Sequence, residues 1–311
     1  MAASFYPAHE LATRIGGARV QAADLTPLGG QPHDLALSKQ ADAALKRAKV
    51  VLYVGGSFQP AVDEAVAKLP GATAKVDLAA DAALPAAKTV PGMRGAVEGA
   101  GTDRSAADPH AWLDPERFAA MAQQTQAALA GADPEHRADY DARGGKYAAE
   151  LTALAAEFKR QLTGCKQDTI LTTHPAWGYL AERYGLRQAV TRGITPGAAL
   201  DPKSLAALGE YAEKTGAATL FTTVPLPSRQ AKTIKQATGL DVQPLDPVEG
   251  LTQDQRAQRA TYSSIMRANL ATLATSLQCE GAPEPTTPGA TSPAATTPGA
   301  ATTPDAASEA Q

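Results

Sequence analysis

The sequence predicts an α/β protein of two lobes, each with a parallel sheet flanked by helices, linked by one long helix. Three observations lead there. Short apolar runs alternate with helical patterns along most of the chain, the pattern of parallel sheets covered by helices on both faces. The alternation comes in two sets, separated by a single long helical stretch. The length, 311 residues, exceeds one small core and suits one large or two medium domains. The expected division is an N-terminal lobe over 1–133, a linking helix over 134–163, a C-terminal lobe over 164–280 and a disordered tail over 281–311.

In the first lobe, residues 2–6 read as a strand. Pro7 fits the first turn of a helix that ends near the pair Gly16 and Gly17. Residues 20–24 read as the next strand. Ser38 caps a helix whose apolar residues Leu37, Ala41, Ala44, Leu45 and Ala48 follow helical spacing. The run VVLYVGG, 50–56, is unbroken and apolar, as in a buried parallel strand. Residues 75–78 form a weaker strand. Residues 86–108, rich in Gly, Pro and charge, read as one long loop, and long loops in compact domains are often functional. Residues 115–130 are helical.

The linking helix carries Tyr140, Tyr147, Leu151, Leu154 and Phe158 near one stripe, with Gly144 and Gly145 as a weak point in its middle. In the second lobe, strand 169–173 leads to helix 177–184. Asp201 and Pro202 open a helix to about 215. Strand 219–222, a helix through 238 and strand 242–245 follow. One final helix over 253–277 places Tyr262, Ile265, Met266, Leu270, Leu273 and Leu277 on one face. The Pro/Thr/Ala tail lacks the large apolar residues that would offset its chain entropy.

The formal net charge of −3 gives no reason to expect nucleic acid or an anionic membrane surface as partner. No run of 18 apolar residues suggests a transmembrane helix. The opening MAASFYPAHE reads as a strand entering a helix rather than as a leader. The two cysteines, Cys165 and Cys279, stand far apart and outside any C-x-x-C motif, which excludes a cysteine zinc knuckle. They fit one disulfide in an exported protein, or two buried thiols in a cytosolic one. A bridge would tie two helix ends and close a loop of about 115 residues, worth on the order of 4–5 kcal/mol in the chain-entropy model.

Of the five histidines, His33, His110 and His174 each sit where a strand or loop turns into a helix. In open parallel sheets that edge is where ligands bind. Asp246, in LDPVEGL, occupies a fourth turn of the same kind. Two of these positions fall in each lobe, so a cleft between lobes would gather them. Three imidazoles and a carboxylate make a tetrahedral N/O set suited to Zn²⁺. Asp34 and Asp108 are candidate acceptors for the imidazole N–H groups. Taken singly, each histidine is more often a surface or capping residue than a ligand, and Asp246 before Pro247 is as readily the cap of a turn. His136 is expected to face solvent and His9 to pack or lie at the surface.

The stretches SFYPAHELATRIGG, LTPLGGQPHDLALSKQ, DPHAWLDPERF, TTHPAWGYLAERYGL and LDPVEGL occur in the order found in the solute-binding proteins of zinc- and manganese-uptake ABC transporters. Over roughly residues 2–279 the chain resembles that cluster A-I family, and its zinc-binding branch most. The resemblance implies two α/β lobes, a rigid linking helix and one metal ion in the cleft. It carries the four ligand positions onto His33, His110, His174 and Asp246. Manganese binders often have Glu at the third position, so His174 favours Zn²⁺ and leaves Mn²⁺ as the alternative. The strand LFTTVPLPS lacks the glutamate common at its end in the family, and 86–108 lacks the histidine-rich insertion of many zinc members.

The resulting expectation is a monomeric extracytoplasmic protein that captures Zn²⁺ and hands it to a membrane ABC permease, with no catalytic residues. A metallochaperone is a further partner the family leaves open. The competing reading from a different class is a zinc-dependent hydrolase. It needs a free coordination position and a general base, and no H-E-x-x-H or G-x-S-x-G motif accompanies the histidines.

Overall fold

The computed structural model describes residues 1–81, 83–85, 87–94 and 107–282. In chain order the elements are β1 (Ala2–Ala3), α1 (Tyr6–Gly16), β2 (Ala23–Asp24), α2 (Lys39–Arg47), β3 (Val50–Tyr53), α3 (Pro60–Ala67), β4 (Ala74–Asp77), β5 (Lys88–Thr89), α4 (Pro115–Ala132) and α5 (Arg137–Gln161). They continue with β6 (Thr169–Thr172), α6 (Gly178–Arg183), β7 (Arg187–Val190), α7 (Pro202–Thr215), β8 (Thr219–Thr222), α8 (Ser228–Thr238), β9 (Asp241–Pro244), α9 (Gln253–Ala257) and α10 (Tyr262–Ser276). Among the described residues the strands form two parallel sheets, ordered β2-β1-β3-β4 and β5-β7-β6-β8-β9. Leaving β5 aside, the two orders are the same pattern repeated. Each reverses direction beside its first strand, so each has a switch point where loops diverge and leave a crevice.

Local chemistry sets the element ends. Ser38 Oγ accepts from the Ala41 N–H at the start of α2 (3.1 Å). Asp114 Oδ1 accepts from Glu116 N–H (3.0 Å), with Pro115 in the first turn of α4. Asp201 caps α7 by accepting from Ser204 N–H (3.0 Å). The predicted single helix over 253–277 is two helices. Thr252 with Gln255, and Thr261 with Ser264, each form a reciprocal capping box, and the chain turns between them at Arg259, φ 54°.

Three further elements depart from expectation. The segment 88–89, expected within a first-lobe loop, is an edge strand of the second sheet, paired in parallel with β7. A segment that precedes α4 and α5 in the chain is thus part of the second sheet. Strand β7 itself and helix α3 carry little in their sequences to announce them: RQAV has one apolar pair, and the short α3 is opened by Pro60. The expected tail lies, from residue 283 on, outside the described residues, as do 86 and 95–106 of the predicted loop.

The lobes share one core. A single apolar cluster runs from Phe5, Leu11 and Phe58 through Phe118, Tyr147 and Phe158 to Leu180, Tyr262 and Leu270. Two smaller clusters cover the outer faces of the sheets. The linking helix α5 is thus packed rather than free-standing, and a large apolar interface of this kind restrains relative lobe motion. Cys165, just after α5, and Cys279, just after α10, are joined as a disulfide in the structure. Beside it the chain ends are laced together, with Lys166 and Gln167 N–H groups donating to the Gln278 and Leu277 carbonyls.

The predicted weak point of α5 is a contact. Gly144 is buried where α5 crosses α4, and a Cβ there would lie 2.3 Å from Gln126 Oε1 and 2.9 Å from Gln126 Cβ. Gly145 is exposed and its added Cβ would meet nothing. Denaturant unfolding should therefore show Gly144→Leu lowering stability by ~1–3 kcal/mol through overpacking. Gly145→Ala should raise it by about 0.5–1 kcal/mol through helix propensity.

Candidate metal centre

His33, His174 and Glu249 lie on connections that follow strands β2, β6 and β9, and His110 lies on the segment leading into α4. His33 lies in a 3-10 turn, Pro32–Asp34, on the connection from β2 to α2. His110 caps a second 3-10 turn, Ala111–Leu113, before α4. His174 is two residues beyond β6. Glu249 lies in the connection from β9 to α9. His33, His110, His174 and Glu249 form the metal-competent group among the described residues, each offering one ligand atom.

The contacts are close. His174 Nε2 is 2.9 Å from Glu249 Oε1 and 3.2 Å from His110 Nε2. His110 Nε2 is 3.4 Å from His33 Nε2 and 3.5 Å from Glu249 Oε1, and His33 Nε2 is 3.3 Å from that same oxygen. A tetrahedral ion bound at about 2.0–2.1 Å separates its ligand atoms by about 3.3–3.4 Å. The donor set and its spacing fit Zn²⁺. His110, His174 and Glu249 are buried, and the His33 side chain is 12% exposed.

The tautomer of His110 is set from behind. Asp108 Oδ1 accepts from the His110 backbone N–H (2.9 Å) and from its ring Nδ1–H (2.8 Å). In the neutral ring that bond leaves the Nε2 lone pair facing the cluster, the usual carboxylate–histidine–metal arrangement. Asp108 therefore fills the supporting role expected of it. Asp34 shows no such bond to His33 among the hydrogen bonds of the described residues.

Burial and charge act against each other at the site. Burial pulls the His110 pKa down, yet its hydrogen bonds to the Asp108 and Glu249 carboxylates outweigh that and hold it up at about 9. Burial pushes Glu249 up, and the surrounding imidazoles more than reverse this, leaving it well below the usual carboxylate range. Burial lowers His33. Without a cation, the cluster thus stores an imidazolium beside a carboxylate.

Asp246, expected as the fourth ligand, lies outside this group. Its Oδ1 accepts from the Val248 N–H (2.7 Å) and its Oδ2 from Gln255 Nε2–H (2.6 Å). Its backbone N–H and carbonyl are both bonded to the Asn269 side-chain amide. The carboxylate builds an Asx turn in which Val248 takes φ 56°, and that turn aims Glu249 at the histidines. The missed signal was local: an Asp-Pro pair two residues before a second acid reads as turn, then ligand. His136 pairs with Asp133 at 2.9 Å, away from the cluster, and His9 lies partly buried on α1.

The second lobe clamps the His110 segment. Trp112 Nε1–H donates to the Pro247 carbonyl (2.9 Å), and Tyr262 O–H donates to the Trp112 carbonyl (2.6 Å). Tyr179 O–H donates to the Asp108 carbonyl (2.9 Å), and Arg183 bridges Asp114 and Glu116 at 2.5 and 2.6 Å. These bonds hold His110 in register with His174 and Glu249.

A model of the family described as "Zinc-uptake complex component A periplasmic" matches residues 1–276. The zinc-binding protein AdcA of Streptococcus pyogenes serotype M6 is 28% identical over 282 residues, covering 87% of this chain and 54% of that protein. The high-affinity zinc uptake system protein ZnuA of Bacillus subtilis is 29% identical over 172 residues, covering 55% of this chain and 54% of the relative. The chain thus spans about half the length of the curated relatives it matches. The crystal structure of the Zn(II)-bound ZnuA-like domain of Streptococcus pneumoniae AdcA matches at 25% identity and a TM-score of 0.77, over 89% of this chain and 97% of that one. With its two parallel-sheet lobes and a family match that runs nearly to the end of the described residues, this chain belongs to the zinc-uptake complex component A family.

Proposed function

We propose that this protein captures one Zn²⁺ between His33, His110, His174 and Glu249 and delivers it, outside the cytoplasm, to a membrane ABC permease. The observation that carries the reading is the convergence of three imidazoles and Glu249, whose ligand atoms all lie within 4.8 Å of one another. Four protein atoms fill the shell of a tetrahedral ion, so no position is left for an activated water. That favours cargo over cofactor and argues against the hydrolase reading. The donor set favours zinc over manganese, which suits oxygen-rich octahedral shells. The capture unit is the pair of lobes, 1–133 with 164–280, held by helix 134–163 and acting as a monomer. The Cys165–Cys279 disulfide fits an oxidising compartment.

Titration calorimetry on the chelator-stripped protein should give one zinc ion per chain. His33→Ala, His110→Ala, His174→Ala and Glu249→Gln should each weaken binding by more than about tenfold, and His136→Ala should leave it unchanged. Asp246→Asn keeps an oxygen to accept from Val248 N–H, and so the turn; zinc affinity should stay near wild type while the lost Gln255 bond lowers stability by ~1 kcal/mol. Tighter binding of manganese than zinc, or steady ester or peptide hydrolysis by the zinc form, would contradict the proposal. Thiol titration of the unfolded, unreduced chain should find no free cysteine.

Binding should also release a proton. In the metal-free fold His110 titrates at about 9, above its ordinary value of 6.5. The stability this contributes is complete below about pH 6.5 and lost as pH rises through about 9. Zinc needs the same Nε2 lone pair, so between those values each ion should expel about one proton from His110. Above pH 9 the release should fall toward zero. Calorimetry in buffers of differing ionisation enthalpy counts it, and a buffer-independent enthalpy at pH 7.5 would refute this account of the site.

A further inference from the structure

The turn after β3, Gly55-Gly56-Ser57, takes no part in holding the ion, yet it is built with care. Gly56 and Ser57 both adopt left-handed backbone, φ 71° and 68°. For Ser57 that conformation is disfavoured by its Cβ, and such conformers persist where the surroundings over-determine them. Here Asp63 Oδ2 accepts from the Ser57 N–H (2.9 Å) and Asp77 Oδ1 from the Gly55 N–H (3.0 Å). On the far side Gln59 is fully buried, its Nε2–H group donating to Thr26 Oγ1 (3.1 Å) and the Ser4 carbonyl (3.4 Å). Between these anchors one side chain is thrown inward, that of Phe58.

Its ring, 1% exposed, stands edge-on to the His33 imidazole with centroids 4.8 Å apart. It also contacts Trp112 at 5.1 Å and Phe5 at 5.0 Å, and Trp112 lies 5.1 Å from the His110 ring. The three aromatic rings make a continuous apolar wall behind the two ligands supplied by the first lobe. Water cannot be held against such a wall, which offers it no hydrogen-bond partner. Phe58 thus fills the corner between the two first-lobe ligands, its ring centroid 4.8 Å from that of His33 and 6.1 Å from that of His110. Zinc accepts four ligands, whereas manganese favours an octahedral, oxygen-rich shell completed by water.

We propose that Phe58 is a specificity-determining residue, which excludes water from the first-lobe side of the ion and so disfavours divalent cations needing more than four ligands. This rests on the zinc-capture reading above. The turn sets the position of the ring, and the ring, rather than the donor set alone, sets the margin of zinc over manganese.

The test compares wild type with Phe58→Leu, Phe58→Val and Phe58→Ala, all in the full, chelator-stripped chain. Zinc and manganese dissociation constants are measured by competition, and Co²⁺ visible absorption reports coordination number. The zinc-to-manganese affinity ratio should fall by roughly tenfold or more in Phe58→Ala. Its Co²⁺ band should weaken from tetrahedral to five- or six-coordinate intensity. Leucine, which still fills the wall, should retain both properties, with valine between. If alanine fails to fold, the step from leucine to valine carries the same comparison. A lowered melting temperature with an unchanged ratio and a tetrahedral Co²⁺ spectrum in the valine and alanine variants would reduce Phe58 to packing and overturn the inference alone. A wild-type chain that binds no zinc would remove the capture reading and this inference together.

Discussion

Three imidazole nitrogens and a carboxylate oxygen are held within a few ångströms of one another and largely away from water. Such atoms present lone pairs to a common point, and bringing them there uncompensated is costly. Part of the compensation is internal: an imidazolium at His110 faces the ionised Glu249 and is hydrogen-bonded to Asp108. A divalent cation supplies the rest more effectively, because it satisfies all four atoms at once. Much of the surrounding architecture serves to keep these four atoms from relaxing apart.

The repeated strand order explains why such a convergence is available. In both sheets the order reverses beside the first strand, so loops leaving the carboxyl edge diverge and leave a crevice. The two crevices face each other because the lobes share one apolar core through α4, α5 and α10. Three hydrogen bonds and the Arg183 bridge then tie the His110 segment to the second lobe, at Pro247, Tyr262, Tyr179 and α6. First-lobe and second-lobe ligands are thus positioned by bonds that cross the cleft, and not merely by the linking helix. Strand 88–89, ahead of α4 and α5 in the chain yet part of the second sheet, adds a further crossing.

How much of this was legible depends on range. His33, His110 and His174 could be read because each sits at a junction where hydrophobic periodicity changes, a local signal. The parallel two-lobe class followed from the same alternation. Asp246 misled because an acid before proline looks the same whether it binds an ion or turns the chain. Its bonds to Val248, Gln255 and Asn269 make it a turn, and Asn269 lies 23 residues away; the local hint is the second acid, Glu249, just beyond. Strand β7 is hidden because RQAV gains its strand character from β6 and β5 on either side. Gly144 looked like a weak point because its partner on α4 cannot be seen in sequence. The split of the last helix, by contrast, was written locally in two Thr-led capping boxes that periodicity alone passed over.

The nature of the enclosure bears on what the ion is for. A catalytic metal keeps one position open to water or substrate. In the proposed site Glu249 takes the fourth position, its oxygen 2.9 Å from His174 Nε2, and the Phe58 ring stands edge-on to His33. Both features spend structure on closing the shell. A site that closes its shell gains affinity and discrimination at the expense of chemistry on the ion. The same closure makes protons its natural competitors, since every ligand atom that holds the ion can also hold H⁺. Capture in such a site is governed by how firmly the four atoms are kept together, and the bonds crossing the cleft are the means by which this chain keeps them.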